Sequence, residues 1–156
     1  MAVRQRFQIN YLMAGLGMLL LGILIYIVGR GSSSPVYQLI PAAGILEKAW
    51  VESGLEDLFQ GNAVLLYSLP DGLWMFAVMS IQLWIWDAKI DTHTVFWMTI
   101  VYIICLTNEA LQGIGISPGT YDNYDLIFMM VGGMLPIQIE FTIQKTIRWK
   151  ESKNQL

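Results

Sequence analysis

The chain has 156 residues, of which 55% are hydrophobic and only 13% are charged. A soluble domain averages about 25% charged residues, so this chain has too little polar surface to coat a soluble globule, and it is too apolar to be disordered. The net charge of −3 argues against a nucleic-acid partner, and the single cysteine excludes an internal disulfide and a Cys-based zinc site.

The first segment with a clear signal is 11–29, which contains 19 residues without a charge. As a helix it would be roughly 28 Å long, about the thickness of the hydrocarbon core of a bilayer. We therefore predict a transmembrane helix over 10–30. A cleaved signal peptide is the competing interpretation, because Arg4 and Arg6 precede the apolar run, but the run is too long for a usual signal sequence.

A long connection follows, and its segment 41–60 is amphipathic. Its apolar residues recur at helical spacing, with Glu47, Lys48 and Glu52 on the other side. The pattern predicts an outer interfacial helix that is anchored by Trp50 and bends at Gly54. A lid packed over the mouth of the bundle is an equally favoured alternative.

Three further apolar segments predict transmembrane helices over 70–87, 93–112 and 124–145. The uncharged part of each is shorter than the roughly 20 residues that a lone spanning helix needs. Each reaches that length only by including flanking carboxylates, which normally face a bundle interior or a wet cavity. We therefore expect an all-α fold, a four-helix transmembrane bundle that forms one membrane domain over 1–156.

The distribution of lysine and arginine predicts the orientation of this bundle. With a cytoplasmic N-terminus, seven of the nine basic residues are cytoplasmic and two, Arg30 and Lys48, are outside. Because basic residues concentrate in cytoplasmic loops, this bias predicts that both termini are cytoplasmic.

This topology brings polar residues from three helix ends to the outer face. The second helix begins there, the third ends there and the fourth begins there, so we predict an outward-facing polar pocket. Its candidate ligand-binding residues are Asp71, Trp74, Asn108, Glu109, Gln112, Asp122 and Asp125.

Helix capping is the alternative role for Asp71, Asp122 and Asp125, because acidic residues favour helix N-termini. Capping does not explain Glu109, since a carboxylate near a helix C-terminus opposes the helix dipole. The carboxylates would suit Mg²⁺ or Ca²⁺, yet we expect no metal and no cofactor. The only histidine, His93, is expected in the opposite loop, so no catalytic set is identified.

Within the fourth helix, Gly132 and Gly133 are expected to allow close approach of another helix, and Pro136 is expected to kink it. Glu140 is expected to reach the inner interface or to pair with Lys145.

At these residues the chain resembles the VanZ-like family of small bacterial membrane proteins, over about 69–135. The family shows an Asp that opens one helix, a Glu-x-x-Gln pair, and an Asp followed seven residues later by Gly. The matching residues are Asp71, Glu109, Gln112, Asp125 and Gly132. The chain departs from the family where Lys and His often follow the first Asp, where Met129 replaces a common Asn, and where a loop Arg is absent. The resemblance implies a bacterial membrane protein of four or five helices, and we expect this chain to be a multi-pass protein of the cytoplasmic membrane.

Three function classes remain open at this point. The first is a non-enzymatic protein whose outer pocket binds a lipid or a lipid-linked envelope ligand. The second is an accessory or sensor subunit of a larger membrane complex, with a membrane protein partner or a second copy of itself. The third is a membrane enzyme that acts on a lipid headgroup with Glu109 and Asp125, and we favour it least.

Overall fold

The computed structural model describes residues 2–30, 43–52, 62–117 and 121–153, and nearly all of these residues are helical. The helices are α1 (Ala2–Arg30), α2 (Ala43–Glu52), α3 (Ala63–Tyr67), α4 (Leu69–Ile85), α5 (Thr92–Gly113) and α6 (Asn123–Lys153).

Four segments within the described ranges are long and apolar enough to cross a membrane. They are Gln8–Ile27, Val64–Ile85, Thr92–Gly113 and Asn123–Lys150. The predicted all-α fold with four membrane-spanning helices is therefore confirmed.

Three elements differ in extent from the sequence prediction. α1 begins at Ala2, eight residues before the predicted start at 10. α6 continues through Pro136 to Lys153, eight residues beyond the predicted end at 145. α2 occupies the first half of the predicted amphipathic segment, whereas the predicted bend at Gly54 lies outside the described residues. The interfacial position of α2 remains a prediction.

The bundle is organised around α4, which packs against α1 on one side and α6 on the other. Glycines make both contacts close. A Cβ atom on Gly22 of α1 would lie 2.5 Å from Nε1 of Trp74, and one on Gly72 of α4 would lie 2.8 Å from the carbonyl oxygen of Phe128 on α6. A Cβ on Gly132 would collide with the carbonyl oxygen of Gly72. Small residues thus let the backbones of α4 and α6 meet.

The cross-bundle contacts show that successive spanning helices run antiparallel. Gly22 of α1 lies beside Trp74 near the start of α4, whereas Tyr11 of α1 is bonded to Glu140, far along α6. The start of α1 and the end of α6 therefore lie at the same end of the bundle. We call this the terminal end, and we call the opposite end, which holds Asp71, Glu109, Asp122 and Asp125, the carboxylate end.

Between the two ends lies an apolar core rich in methionine. Met75 and Met79 of α4, Met98 of α5 and Met129 of α6 are all buried in it, together with Leu83. Flexible thioether side chains fill irregular gaps between helices. This core separates the polar groups of the carboxylate end from those of the terminal end.

At the terminal end a tight turn joins α4 to α5. Asp87 and Ala88 both adopt left-handed backbone conformations, with φ of 54° and 52°, a region that is costly for residues with a Cβ. Asp91 then caps α5 by accepting a hydrogen bond from the backbone N–H of Thr94 at 2.9 Å. This bond, with a second from the Thr94 hydroxyl, lowers the pKa of Asp91.

Candidate functional site

Glu109 is the centre of the carboxylate end. It lies in the last turn of α5 and is only 5% exposed. Its Oε1 accepts a hydrogen bond from the backbone N–H of Asp122 at 3.1 Å. This bond joins the end of α5 to the start of α6 and provides a donor for a carboxylate that helix geometry alone would not stabilise.

Asp122 and Asp125 approach Glu109 from the start of α6. Both are close enough to act electrostatically on the Glu109 carboxylate. Asp122 has a capping geometry, because its Oδ1 accepts a hydrogen bond from the backbone N–H of Tyr124 at 2.9 Å. Asp125 is only 7% exposed. The structure therefore places two buried carboxylates and one half-buried carboxylate together.

Asp71 reaches the same end of the bundle from α4. It lies in the first turn of that helix, directly after Pro70, where a negative charge is favoured by the helix dipole. It is close enough to Cys105 of α5 for an electrostatic interaction. Its neighbour Gly72 packs on Phe128, which is less than one turn beyond Asp125.

The other predicted pocket residues occupy different positions. Asn108 is exposed, and its Oδ1 accepts a hydrogen bond from the hydroxyl of Ser117 at 3.0 Å, so it stabilises the turn after α5. Trp74 packs on α1, with its ring centroid 5.2 Å from that of Tyr26. Trp74 therefore belongs to the α1–α4 interface, because Gly22 leaves room for its indole there. Gln112 is half-buried in the last turn of α5.

The predicted packing residues all lie in the bundle interior. Gly132 is in contact with the backbone of α4, and Gly133 lies beneath the hydroxyl of Tyr102 from α5. That hydroxyl donates a hydrogen bond to the carbonyl oxygen of Met130 at 3.2 Å. Pro136 is fully buried. The middle of α6 is therefore shaped to receive both α4 and α5.

Among the described residues, no group of three or more His, Cys, Asp or Glu side chains is arranged to hold a metal ion. His93 lies in the first turn of α5 at the terminal end, with its ring 4.6 Å from that of Trp86. The sequence places His93 in the preceding loop, whereas the helix begins at Thr92, one position earlier, and is capped by Asp91. His93 therefore lies far from the carboxylates, across the apolar core.

Sequence reasoning missed a second polar cluster, which is built around Glu140 at the terminal end. Glu140 is 5% exposed, and its Oε2 accepts a hydrogen bond from the hydroxyl of Tyr11 at 2.8 Å. Its Oε1 accepts another from Nε2 of Gln144, also at 2.8 Å. The expected pairing with Lys145 is thus replaced by a buried network.

This network also fixes the α4–α5 turn. Nε2 of Gln144 donates a second hydrogen bond, at 3.1 Å, to the carbonyl oxygen of Ala88, and Nε2 of Gln8 donates to Oδ1 of Asp87 at 2.8 Å. The signal that sequence reasoning could have used is the spacing of Glu140 and Gln144, which places both on one face of α6.

α5 also carries a shallow apolar groove on its outer surface. Its lining residues all come from α5 and the turn after it, and they are Ile103, Leu106, Thr107, Ala110, Leu111 and Ile114. None of Glu109, Asp122 and Asp125 lines it, so this groove is separate from the carboxylates.

Comparison with known proteins gives no relative for this chain, because no family model, curated protein or solved structure matches it.

Proposed function

We propose that this chain is a multi-pass protein of the bacterial cytoplasmic membrane that binds a lipid or lipid-linked envelope ligand at its carboxylate end, without catalysing a reaction. The observation that supports this function is the burial of Glu109 and Asp125, at 5% and 7% exposure, in membrane-spanning helices. Ionisable residues within membrane helices are rare, and they mark binding or transport sites.

The chemistry of the site favours one class of headgroup. Carboxylates only accept hydrogen bonds, so the four acidic side chains at this end suit a ligand that brings donors or positive charge. An amine or a polyhydroxyl headgroup meets that requirement, whereas a bare phosphate would be repelled. The apolar surfaces of the helices around the site would contact the acyl or prenyl chains of such a ligand.

The proposal treats the protein as a binder because, among the described residues, no base of another kind lies beside these acidic residues. The one thiol near them, Cys105 beside Asp71, packs against the apolar core. The one histidine lies at the opposite end. The divergent VanZ-like assignment forms part of the same proposal. It is supported by the fact that Asp71, Glu109 and Asp125, which carry the resemblance, share one end of the bundle.

The test is lipid analysis of the protein extracted gently from its native membrane. We expect wild type to retain a defined amine- or sugar-bearing lipid, and we expect Glu109→Gln and Asp125→Asn to lose at least about 80% of it. Glu140→Gln is the matched control, because it converts an equally buried carboxylate at the other end and should leave retention unchanged. A melting temperature for each variant separates lost binding from lost folding. Equal retention by all variants would contradict the proposal.

A role as subunit of a membrane complex is the second candidate, and one observation favours it. Only 17% of the α5 span is buried within the chain, compared with 39% of the α4 span, although α5 carries the central carboxylate. A partner helix lying in the α5 groove would bury that surface. Cross-linking from Ile103→Cys in a Cys105→Ala background should then trap a second membrane protein, whereas contact with lipid alone gives no protein adduct.

A further inference from the structure

α6 is longer than a bilayer requires. Its 31 residues extend about 46 Å, whereas the hydrocarbon core is about 30 Å thick. If Asn123 lies near the surface at the carboxylate end, the helix leaves the hydrocarbon near Thr142. The part from Lys145 to Lys153 then lies at the depth of the headgroups at the terminal end.

This last part of α6 has one strongly basic side. Lys145, Trp149 and Lys153 follow one another at intervals of four residues, so they form a single stripe along the helix, which we call the basic face. All three are exposed, and Trp149 is 56% exposed. The ammonium group of Lys153 lies 4.3 Å from the centroid of the Trp149 ring, a cation–π contact that orders both side chains.

The basic face points away from the bundle. Trp149 follows Glu140 by nine residues, which is about 180° around a helix. Glu140 faces inward, where it is bonded to Tyr11 of α1. The basic face is therefore continuous with the side of α6 that faces the surrounding lipid, and no described helix covers it.

Two threonines, one before the basic face and one beside it, are adapted to apolar surroundings. Thr142 and Thr146 are both exposed, and each hydroxyl donates to a backbone carbonyl one turn earlier, at 2.8 Å in both cases. A hydroxyl satisfied within its own helix does not need water. This is the composition expected where a helix passes from acyl chains into headgroups.

We propose that the basic face binds the phosphate headgroups of anionic phospholipids in the leaflet at the terminal end. The two lysines supply opposite charge, and Trp149 supplies an amphipathic ring that favours the headgroup depth. Arg148, which donates to Oε1 of Gln144 at 3.4 Å, and Lys150 add positive charge beside the face. The sequence of 145–153 contains one acidic residue, Glu151, against these four cations. This site is independent of the ligand proposed at the carboxylate end, because it lies at the other end of the bundle and binds through positive instead of negative side chains.

The experiment uses the full chain in phospholipid vesicles and measures tryptophan quenching by lipids with brominated acyl chains. The contribution of Trp149 is the difference between wild type and Trp149→Phe. One set of vesicles contains brominated phosphatidylglycerol in unlabelled phosphatidylcholine. The other set contains brominated phosphatidylcholine in unlabelled phosphatidylglycerol, at the same mole fraction of brominated lipid. We expect the phosphatidylglycerol to quench Trp149 about three-fold more strongly than the phosphatidylcholine does.

The double variant Lys145→Gln/Lys153→Gln should reduce this ratio to about one, and 1 M salt should lower it in wild type by screening. Lys89→Gln is the matched control, because Lys89 is an exposed lysine at the same end that lies 4.0 Å from Asp87, and its loss should leave the ratio unchanged. Equal quenching by the two lipids in wild type, or a ratio that survives the double substitution, would overturn the proposal. Absence of quenching by either lipid would also overturn it, since the face would then be turned toward an aqueous or protein partner.

Discussion

Tyr11 and Glu140 form the contact that ties the first helix to the last at the terminal end. The hydroxyl donates to a carboxylate that is 5% exposed, within helices that span the membrane. Removing the hydroxyl would leave one buried carboxylate oxygen without its donor. A buried polar group that loses its hydrogen-bond partner destabilises the folded state. The contact therefore has a stabilising role that can be measured apart from any ligand.

We expect Tyr11→Phe to lower the free energy of unfolding by about 1 to 2 kcal/mol, since hydrogen bonds between membrane helices rarely contribute more. Denaturant unfolding of the purified protein in detergent micelles measures this change. Tyr124→Phe removes the same atom from a tyrosine that is 50% exposed, and it should change stability by less than about 0.5 kcal/mol. Equal effects of the two substitutions would show that the Tyr11–Glu140 bond contributes nothing specific.

At the scale of helices, the closest contact is the one between α4 and α6. A Cβ on Gly132 would collide with the backbone carbonyl of Gly72, which cannot move without displacing its helix. Gly132→Ala should therefore destabilise the protein by about 1 to 3 kcal/mol. Gly17→Ala is the control, because a Cβ there meets nothing within 4 Å, and the better helix propensity of alanine should leave stability unchanged or raise it by up to about 1 kcal/mol. Thermal unfolding should thus show melting temperatures that shift in opposite directions or by clearly unequal amounts in the two variants. Similar shifts in melting temperature would contradict this packing.

The helices also show which features a sequence can predict. The four spans were predictable because the length of an uncharged run is a local property. The end of α6 was missed, since Lys145 and Lys150 look like a polar tail although the helix continues through them. The inward role of Glu140 was missed for a different reason: its partner Tyr11 is 129 residues away, and only the folded bundle brings them together.

The candidate site was predictable to a similar degree. Antiparallel helices necessarily return their ends to shared faces, which is why Glu109, Asp122 and Asp125 could be expected at one end. The rotation of each helix about its own axis decides which side chains face the pocket. This rotation is set by packing between helices, and the length of an apolar run does not predict it. Trp74 was therefore assigned to the pocket on its depth alone, whereas the space left by Gly22 turns it toward α1.

For the whole molecule, the decisive property is which end of the bundle faces the cytoplasm. The structure places the start of α1 and the end of α6 together, and seven of the nine basic residues in the sequence belong to that end. Basic residues are retained in the cytoplasm during insertion, so we expect the terminal end to be cytoplasmic and the carboxylate end to face outward. In this orientation the end that holds Glu109 and Asp125 faces outward, as the proposed ligand requires.

Cysteine labelling in a Cys105→Ala background tests this orientation directly. Tyr121→Cys places a thiol at an exposed position of the carboxylate end, and His93→Cys places one at an exposed position of the terminal end. A membrane-impermeant maleimide added to intact cells should label position 121, and it should label position 93 only after the membrane is permeabilised. The reverse labelling pattern would show that the bundle has the opposite orientation in the membrane. The carboxylates would then face the cytoplasm, and an extracytoplasmic ligand would have no access to them.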